Sequence, residues 1–193
     1  IEIIFEETAN FTCGLIMKML YTEVGLINPW IKNPRNQLAA KVLLVIGMGN
    51  IGERVEKKMK NFLRIETYDT IYNKQSELKE MISIADCITL HIPKDDKNIS
   101  FFNKEKLSWM TDGSVLINTS RGAIVDENAL FNEINSKRIK AAFDVYWHEP
   151  YEGQLKEFHP EYFYMTPHVA STCSGFLEGC RRDLKSLIAL LNN

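Results

Sequence analysis

The hexapeptide Gly47-Met48-Gly49-Asn50-Ile51-Gly52 spaces its glycines as G-x-G-x-x-G, a pattern suited to a loop that holds phosphate on backbone N–H groups. Gly47 permits a tight turn, Gly49 lets a pyrophosphate approach the backbone, and Gly52 lets a helix pack hard against a strand. Asn50 and Ile51 lie where free N–H groups and the positive end of a following helix would meet the charge. Asp69 follows Gly52 by 17 residues. A carboxylate there can accept from the hydroxyls of an adenosine ribose and repels a 2′-phosphate. Thr70 and Ile71 come next, with no arginine to hold such a phosphate, and Arg64 lies upstream. The expected ligand is therefore NAD rather than NADP. A plain strand–turn–helix with a solvated aspartate is the alternative, and the flanking elements decide between the two.

Those elements are legible. Residues 41–46 form an apolar, β-branched run closed by Gly47, which predicts a strand buried on both faces. Residues 51–61, with Val55 and Met59 in phase, predict a helix, and residues 62–68 a second strand ending at Asp69. That is a β-α-β unit of about thirty residues. The alternation continues through a helix at 76–83, a strand at 87–91, a polar loop at 93–98, a short helix at 104–110 and a strand at 114–118. A helix at 127–136 and a strand at 141–145 follow. Upstream, residues 1–8 read as a strand or extended entry. Residues 10–25 carry Phe11, Leu15, Ile16, Met19 and Leu20 at helical spacing, and Asn28-Pro29 and Asn33-Pro34 mark a loop. Downstream, residues 151–165 read as a loop with aromatics and residues 174–191 as an amphipathic helix. The predicted fold class is α/β, a doubly wound parallel sheet of the NAD-binding Rossmann type. The expected division is a connector helix and linker over 1–36, a dinucleotide-binding domain over 37–170 and a terminal helix over 171–193.

Composition narrows the partners. Of 193 residues 45% are hydrophobic and 25% charged, and the net charge is −2 with no basic block. This argues against nucleic acid or an anionic membrane and for a small-molecule ligand. Cys13, Cys87, Cys173 and Cys180 stand singly, which fits neither a disulfide framework nor a metal site. Reduced thiols in the cytoplasm are the expectation. No apolar run reaches membrane-spanning length and no signal segment opens the chain. The chain begins with Ile1 rather than Met, so an upstream portion is expected.

Four further segments carry a family resemblance. Asn118-Thr119-Ser120-Arg121-Gly122 followed by Val125-Asp126, Asp144-Val145-Tyr146-Trp147-His148-Glu149-Pro150, Thr166-Pro167-His168, and His91-Ile92-Pro93 occur in this chain. Together they resemble the D-isomer-specific 2-hydroxyacid dehydrogenases. The resemblance implies an NAD-dependent oxidoreductase that interconverts a small D-2-hydroxy acid and a 2-keto acid. By position it puts the catalytic arginine, glutamate and histidine on Arg121, Glu149 and His168. It also implies that Thr119, Ser120, Arg121 and His168 border the cofactor, that His91, Ile92 and Pro93 form a loop beside it, and that Asp144 contacts the nicotinamide carboxamide. The residue types suit the chemistry. A histidine titrates near the working pH and can take the hydroxyl proton. A glutamate on its other nitrogen orients it, and an arginine fork grips a carboxylate. Singly, each residue has a plain alternative: a turn arginine, a strand-ending Glu-Pro, a histidine satisfying backbone groups. Jointly, the catalytic reading prevails. His148 and His159 match no functional position and are read as local histidines, and Trp147 as packing.

The resemblance also implies a substrate-binding domain of about a hundred residues that this chain lacks. Residues 10–25 would then be its connector, exposing apolar surface near a dimer contact, so a homodimer is expected. The competing reading is an NAD-binding interaction module without turnover, similar to the corepressors that resemble this family. Formate oxidation is disfavoured, because that branch carries glutamine where this chain has Glu149.

Overall fold

The computed structural model describes every residue except Ile1, residues 22–26, Pro29, Asn33 and residues 192–193. Helix α1 (Glu2–Leu20) comes first, followed by β1 (Val42–Ile46), α2 (Gly52–Met59), β2 (Arg64–Tyr68), α3 (Leu78–Ile84), β3 (Cys87–Leu90) and α4 (Lys104–Trp109). The second half runs β4 (Val115–Asn118), α5 (Glu127–Asn135), β5 (Lys140–Phe143), β6 (Phe163–Met165) and α6 (Ser174–Leu191). All six strands are parallel, in the order β2-β1-β3-β4-β5-β6. The winding direction reverses between β1 and β3, and the cleft outside the carboxyl ends of those two strands is where such sheets bind ligands.

Alternation along each strand builds two apolar layers, because successive side chains point to opposite faces. Leu44, Ile46, Ile88, Leu90 and Leu116 face α3, α4 and α5 through Leu78, Ile82, Leu107, Leu130 and Ile134. Leu43, Val45, Cys87, Val115 and Ile117 face the other way, onto Val55 and Met59 of α2 and Leu15, Ile16 and Met19 of α1. Every residue of β1 is buried. Full burial of each large aliphatic side chain there stabilises by about 1.5–3 kcal/mol. The platform under the glycine loop is therefore a wholly buried strand.

Three expectations are corrected. Residues 2–8 are helical and not extended: Ala9, Thr12, Leu15, Ile16 and Met19 fall on one helical stripe that packs on the sheet, and Ile3, Ile4 and Phe5 continue that helix rather than pairing with a strand. For the same reason residues 10–20 do not offer an exposed apolar surface. Exposed large apolar side chains instead include Ile27, Trp30 and Ile31, Ile71 and Tyr72 after β2, and Leu184, Leu187, Ile188 and Leu191 of α6, a helix with no buried residue. Residues 151–165 are not all loop, since a short 3-10 helix spans Gln154–Phe158 and β6 adds the sixth strand beside β5. The predicted helix end at residues 22–25 and the loop markers Pro29 and Asn33 fall outside the described residues. Among the described residues, no helix is long and apolar enough to cross a membrane.

Candidate active site

The glycine loop leaves β1 at Gly47, whose φ of 93° lies in the left-handed region open chiefly to glycine. A Cβ on Gly52 would lie 1.9 Å from the carbonyl oxygen of Gly47, so α2 can start this close to the strand only with glycine there. At Gly49 a Cβ would meet nothing within 4 Å, leaving the backbone open to an approaching ligand. Asn50 and Ile51 form the turn into α2, where the N–H groups of Glu53 and Val55 bond back to Gly49 and Ile51. Asp69, at the tip of β2, accepts from the N–H of Met48 at 2.8 Å on Oδ2 and from the N–H of Ile71 at 2.9 Å on Oδ1. It therefore ties the glycine loop to the second strand. Each oxygen keeps a lone pair for a further donor.

A cleft of about 940 Å³ opens here, with Gly47, Gly49, Asp69, His91, Ile92 and Pro93 in its walls. His91 bonds through Nε2 to Thr89 Oγ1 at 3.0 Å, while its buried Nδ1 has no hydrogen-bond partner. Burial pushes its pKa down to about 3, so the ring is neutral at ordinary pH. An open glycine backbone, an acceptor at the strand tip and an orphaned ring nitrogen suit a polar, phosphate-bearing group such as a dinucleotide.

The second half of the site hangs from the ends of β4, β5 and β6. Glu149 Oε2 pairs with His168 Nδ1 at 2.8 Å, and its Oε1 accepts from the N–H of Tyr146 at 3.1 Å. Burial opposes the charge on Glu149. The hydrogen bonds from His168 and Tyr146 and the positive charges of His168 and Arg121 outweigh it and hold the carboxyl below its ordinary range. Both side chains of the pair remain about 40% exposed (44% and 39%), within reach of an incoming substrate. A cavity of about 640 Å³ adjoins them, walled by Tyr146, Pro150, Tyr151, Met165 and Thr166. His159, read from sequence as a local histidine, also lines it, with Nδ1 accepting from the N–H of Met165 at 3.2 Å.

The segment carrying Glu149 is locked by aromatic anchors. Trp147 Nε1 donates to Val125 O at 2.7 Å, and Tyr151 donates to Glu127 at 2.8 Å. Tyr146 stacks on Tyr151 with ring centres 5.1 Å apart. The Arg121 loop presses against this segment: a Cβ on Gly122 would fall 2.1 Å from the backbone of Tyr146. That contact explains why glycine follows the arginine. Arg121 also bonds its own neighbour, Nη1 to Ser120 O at 2.6 Å.

Of the sequence-predicted residues, Gly47, Gly49, Asp69, His91, Ile92 and Pro93 converge on one cleft, and Glu149 and His168 on the other, with the charge of Arg121 acting there. Two stand apart. Thr119 is buried with its hydroxyl 2.8 Å from Thr12 of α1, turned to the helix layer. Asp144 has no solvent exposure. Sequence reasoning passed over Asn118, whose buried amide donates to Arg121 O at 2.9 Å and accepts from Ser120 on both N–H and hydroxyl. A polar residue closing an otherwise apolar strand was its signal.

Residues 27–170 match the profile described as D-isomer specific 2-hydroxyacid dehydrogenase, NAD binding domain. The chain belongs to the D-isomer specific 2-hydroxyacid dehydrogenase family. Its cofactor is NAD. It is 31% identical over 146 residues to a hydroxypyruvate reductase of Thermotoga maritima, a match covering 70% of this chain and 48% of that protein. It is also 31% identical over 161 residues to a glyoxylate reductase of Pyrococcus horikoshii, covering 77% and 48% respectively. The crystal structure of the TT0316 protein from Thermus thermophilus superposes with a TM-score of 0.76 at 28% identity, covering 89% of this chain and 60% of that one. D-lactate dehydrogenase from Aquifex aeolicus, solved with NAD and lactic acid, shares the fold with a TM-score of 0.80 at 24% identity, covering 97% and 67%. The chain spans about half the length of these two curated reductases.

Proposed function

We propose that this chain supplies the NAD-binding half of an oxidoreductase that interconverts a D-2-hydroxy acid and a 2-keto acid. The observation that carries the reading is the His168–Glu149 pair at 2.8 Å, exposed beside a cavity and within the field of Arg121. With Nδ1 engaged by Glu149, His168 keeps Nε2 for the substrate. In oxidation Nε2 takes the hydroxyl proton as a general base, and in reduction it returns a proton to the carbonyl oxygen. Glu149, held ionised, favours the imidazolium that forms. Arg121 offers a planar fork to the substrate carboxylate and polarises the neighbouring carbonyl. NAD, when bound, supplies the hydride acceptor, and NADH the donor. Gly47, Gly49, Asn50, Ile51 and Gly52 would hold its pyrophosphate and Asp69 its ribose, with His91, Ile92 and Pro93 lining the cleft beside it.

A second copy of this chain is the proposed partner, because Ile27, Trp30 and Ile31 stand 63–85% exposed and contiguous exposed apolar residues mark interaction surfaces. The four unpaired cysteines are in keeping with a reducing cytoplasm. The bare apolar face of α6 supports a second reading, an NAD-binding interaction module without turnover. NADH oxidation assayed with pyruvate, hydroxypyruvate, glyoxylate and 2-ketoglutarate separates the two. Turnover on any of them supports the enzyme; NADH binding with no turnover on all four supports the module.

A further inference from the structure

Asp144 sits immediately past β5, its N–H bonded to Asn118 O at 3.0 Å, and is wholly buried. A carboxylate at that depth is costly unless every oxygen finds donors. Asp144 Oδ1 accepts from Thr166 Oγ1 at 2.6 Å and from the N–H of Val169 at 2.9 Å, and Oδ2 accepts from the N–H of Ala170 at 2.8 Å. All three donors flank His168, one before it and two after. His168 itself has φ 53°, in the left-handed region that side chains other than glycine enter rarely. Its N–H bonds back to Thr166 O at 3.0 Å. The loop is thus bent tightly around the histidine, and a single buried carboxylate clasps both of its ends.

From this we infer that Asp144 is a positioning residue, which holds the His168 loop in the bend that delivers Nδ1 to Glu149. Asn118 does the equivalent at the end of neighbouring β4, gripping Ser120 and Arg121. Two adjacent strands therefore end in buried polar residues, each folding back the loop that bears a proposed reacting side chain. The carboxylate's own hydrogen-bonding capacity is directed at the loop, and the residue presents no surface to solvent.

The inference is tested on the full chain by ¹⁵N imidazole spectroscopy of His168. A ring whose Nδ1–H is donated to Glu149 is held in the Nδ1–H tautomer, since the partner of one nitrogen decides where the proton sits. In Asp144→Asn the acceptor facing Ala170 becomes a donor, and the Nδ1–H fraction should fall by about half or more. Thr166→Val removes one of the three donors and should give a smaller fall in the same direction. NADH binding, followed by fluorescence, reports in each variant that the glycine loop is folded. If both Asp144→Asn and Asp144→Ala unfold, Thr166→Val decides alone. An unchanged tautomer signature in the folded variants overturns the inference, as does a loss of NADH affinity with the signature intact, which would make Asp144 a cofactor contact instead. The catalytic meaning rests on the function proposed above, whereas the signature does not. A protein that shows the expected signature change and yet never turns over fails that reading and not this one.

Discussion

The two halves of the proposed site, one for cofactor and one for acid–base chemistry, are built from different materials. The cofactor side, from β1 through β3, is made of backbone: glycines brought to contact distance over a strand with every residue buried. The acid–base side, beyond β4, β5 and β6, is made of side chains on loops, tied down by Asn118, Asp144 and three aromatic anchors. A backbone cradle tolerates almost no change in shape and draws little on side-chain charge beyond Asp69. A side-chain pair on loops depends on every tether that aims it.

The largest expected effect sharpens that contrast. His168→Ala should lower turnover, in whatever assembly oxidises NADH, by about 10²–10⁴-fold, as loss of a general base does. The pair it breaks is roughly 40% exposed (44% and 39%), and such ion pairs contribute about 0–1 kcal/mol. Thermal stability and NADH affinity should therefore stay close to those of the unaltered protein. A variant with undiminished turnover would remove His168 from the chemistry.

Gly52→Ala should do the reverse. Its new methyl would fall 1.9 Å from Gly47 O, and overpacking of this kind costs about 1–3 kcal/mol. NADH binding and folding stability should fall together, measured by titration and by thermal unfolding. Stability lost with binding retained would show that the cradle is not where the cofactor sits.

Asp69→Ala should weaken NAD by about tenfold, or ~1.4 kcal/mol, and narrow the gap between NAD and NADP. Because Asp69 also holds the N–H of Met48, Asp69→Asn should recover part of the affinity through its remaining acceptor. Competition titrations with both cofactors check this, and an unchanged preference would refute the role.

The last effect is confined to acid pH and is nil at neutral pH; it concerns His91. Its pKa is lowered by burial to about 3 in the folded protein, against about 6.5 when unfolded. Between those values the unfolded chain binds a proton that the folded chain does not. The stability is therefore fully present above pH 6.5 and is lost as pH falls toward 3, at up to ~1.4 kcal/mol per pH unit. His91→Gln should flatten that part of the profile. An equal loss of stability between pH 6.5 and 5 in His91→Gln and the unaltered protein, measured by denaturant titration, would show that His91 is not the group responsible.

The same contrast explains what could be read from sequence. The glycine loop was legible because all its requirements fall within six residues and the flanking strand and helix are local. Glu149 and His168 were recognised as motifs, but their pairing spans 19 residues and no periodicity foretells it. The clasp by Asp144 was illegible, since its donors lie 22 to 26 residues on and a lone strand-end aspartate does not announce them. β6 was missed because three residues carry too little pattern, and its strand character comes from pairing with β5. The start of α1 was misread because Ile1, Ile3 and Phe5 fit a two-residue period until Ala9, Thr12 and Ile16 settle on the sheet.

The absent side chain at Gly122 also bears on how the site moves. With the Arg121 loop lying directly against the backbone of Tyr146 and Trp147, opening either segment breaks its packing on the other. Amide protons of residues 120–124 and 145–149 should thus exchange with solvent as one cooperative unit, with a common free energy of opening. Under the proposed function, Arg121 and Glu149 would then meet a substrate together.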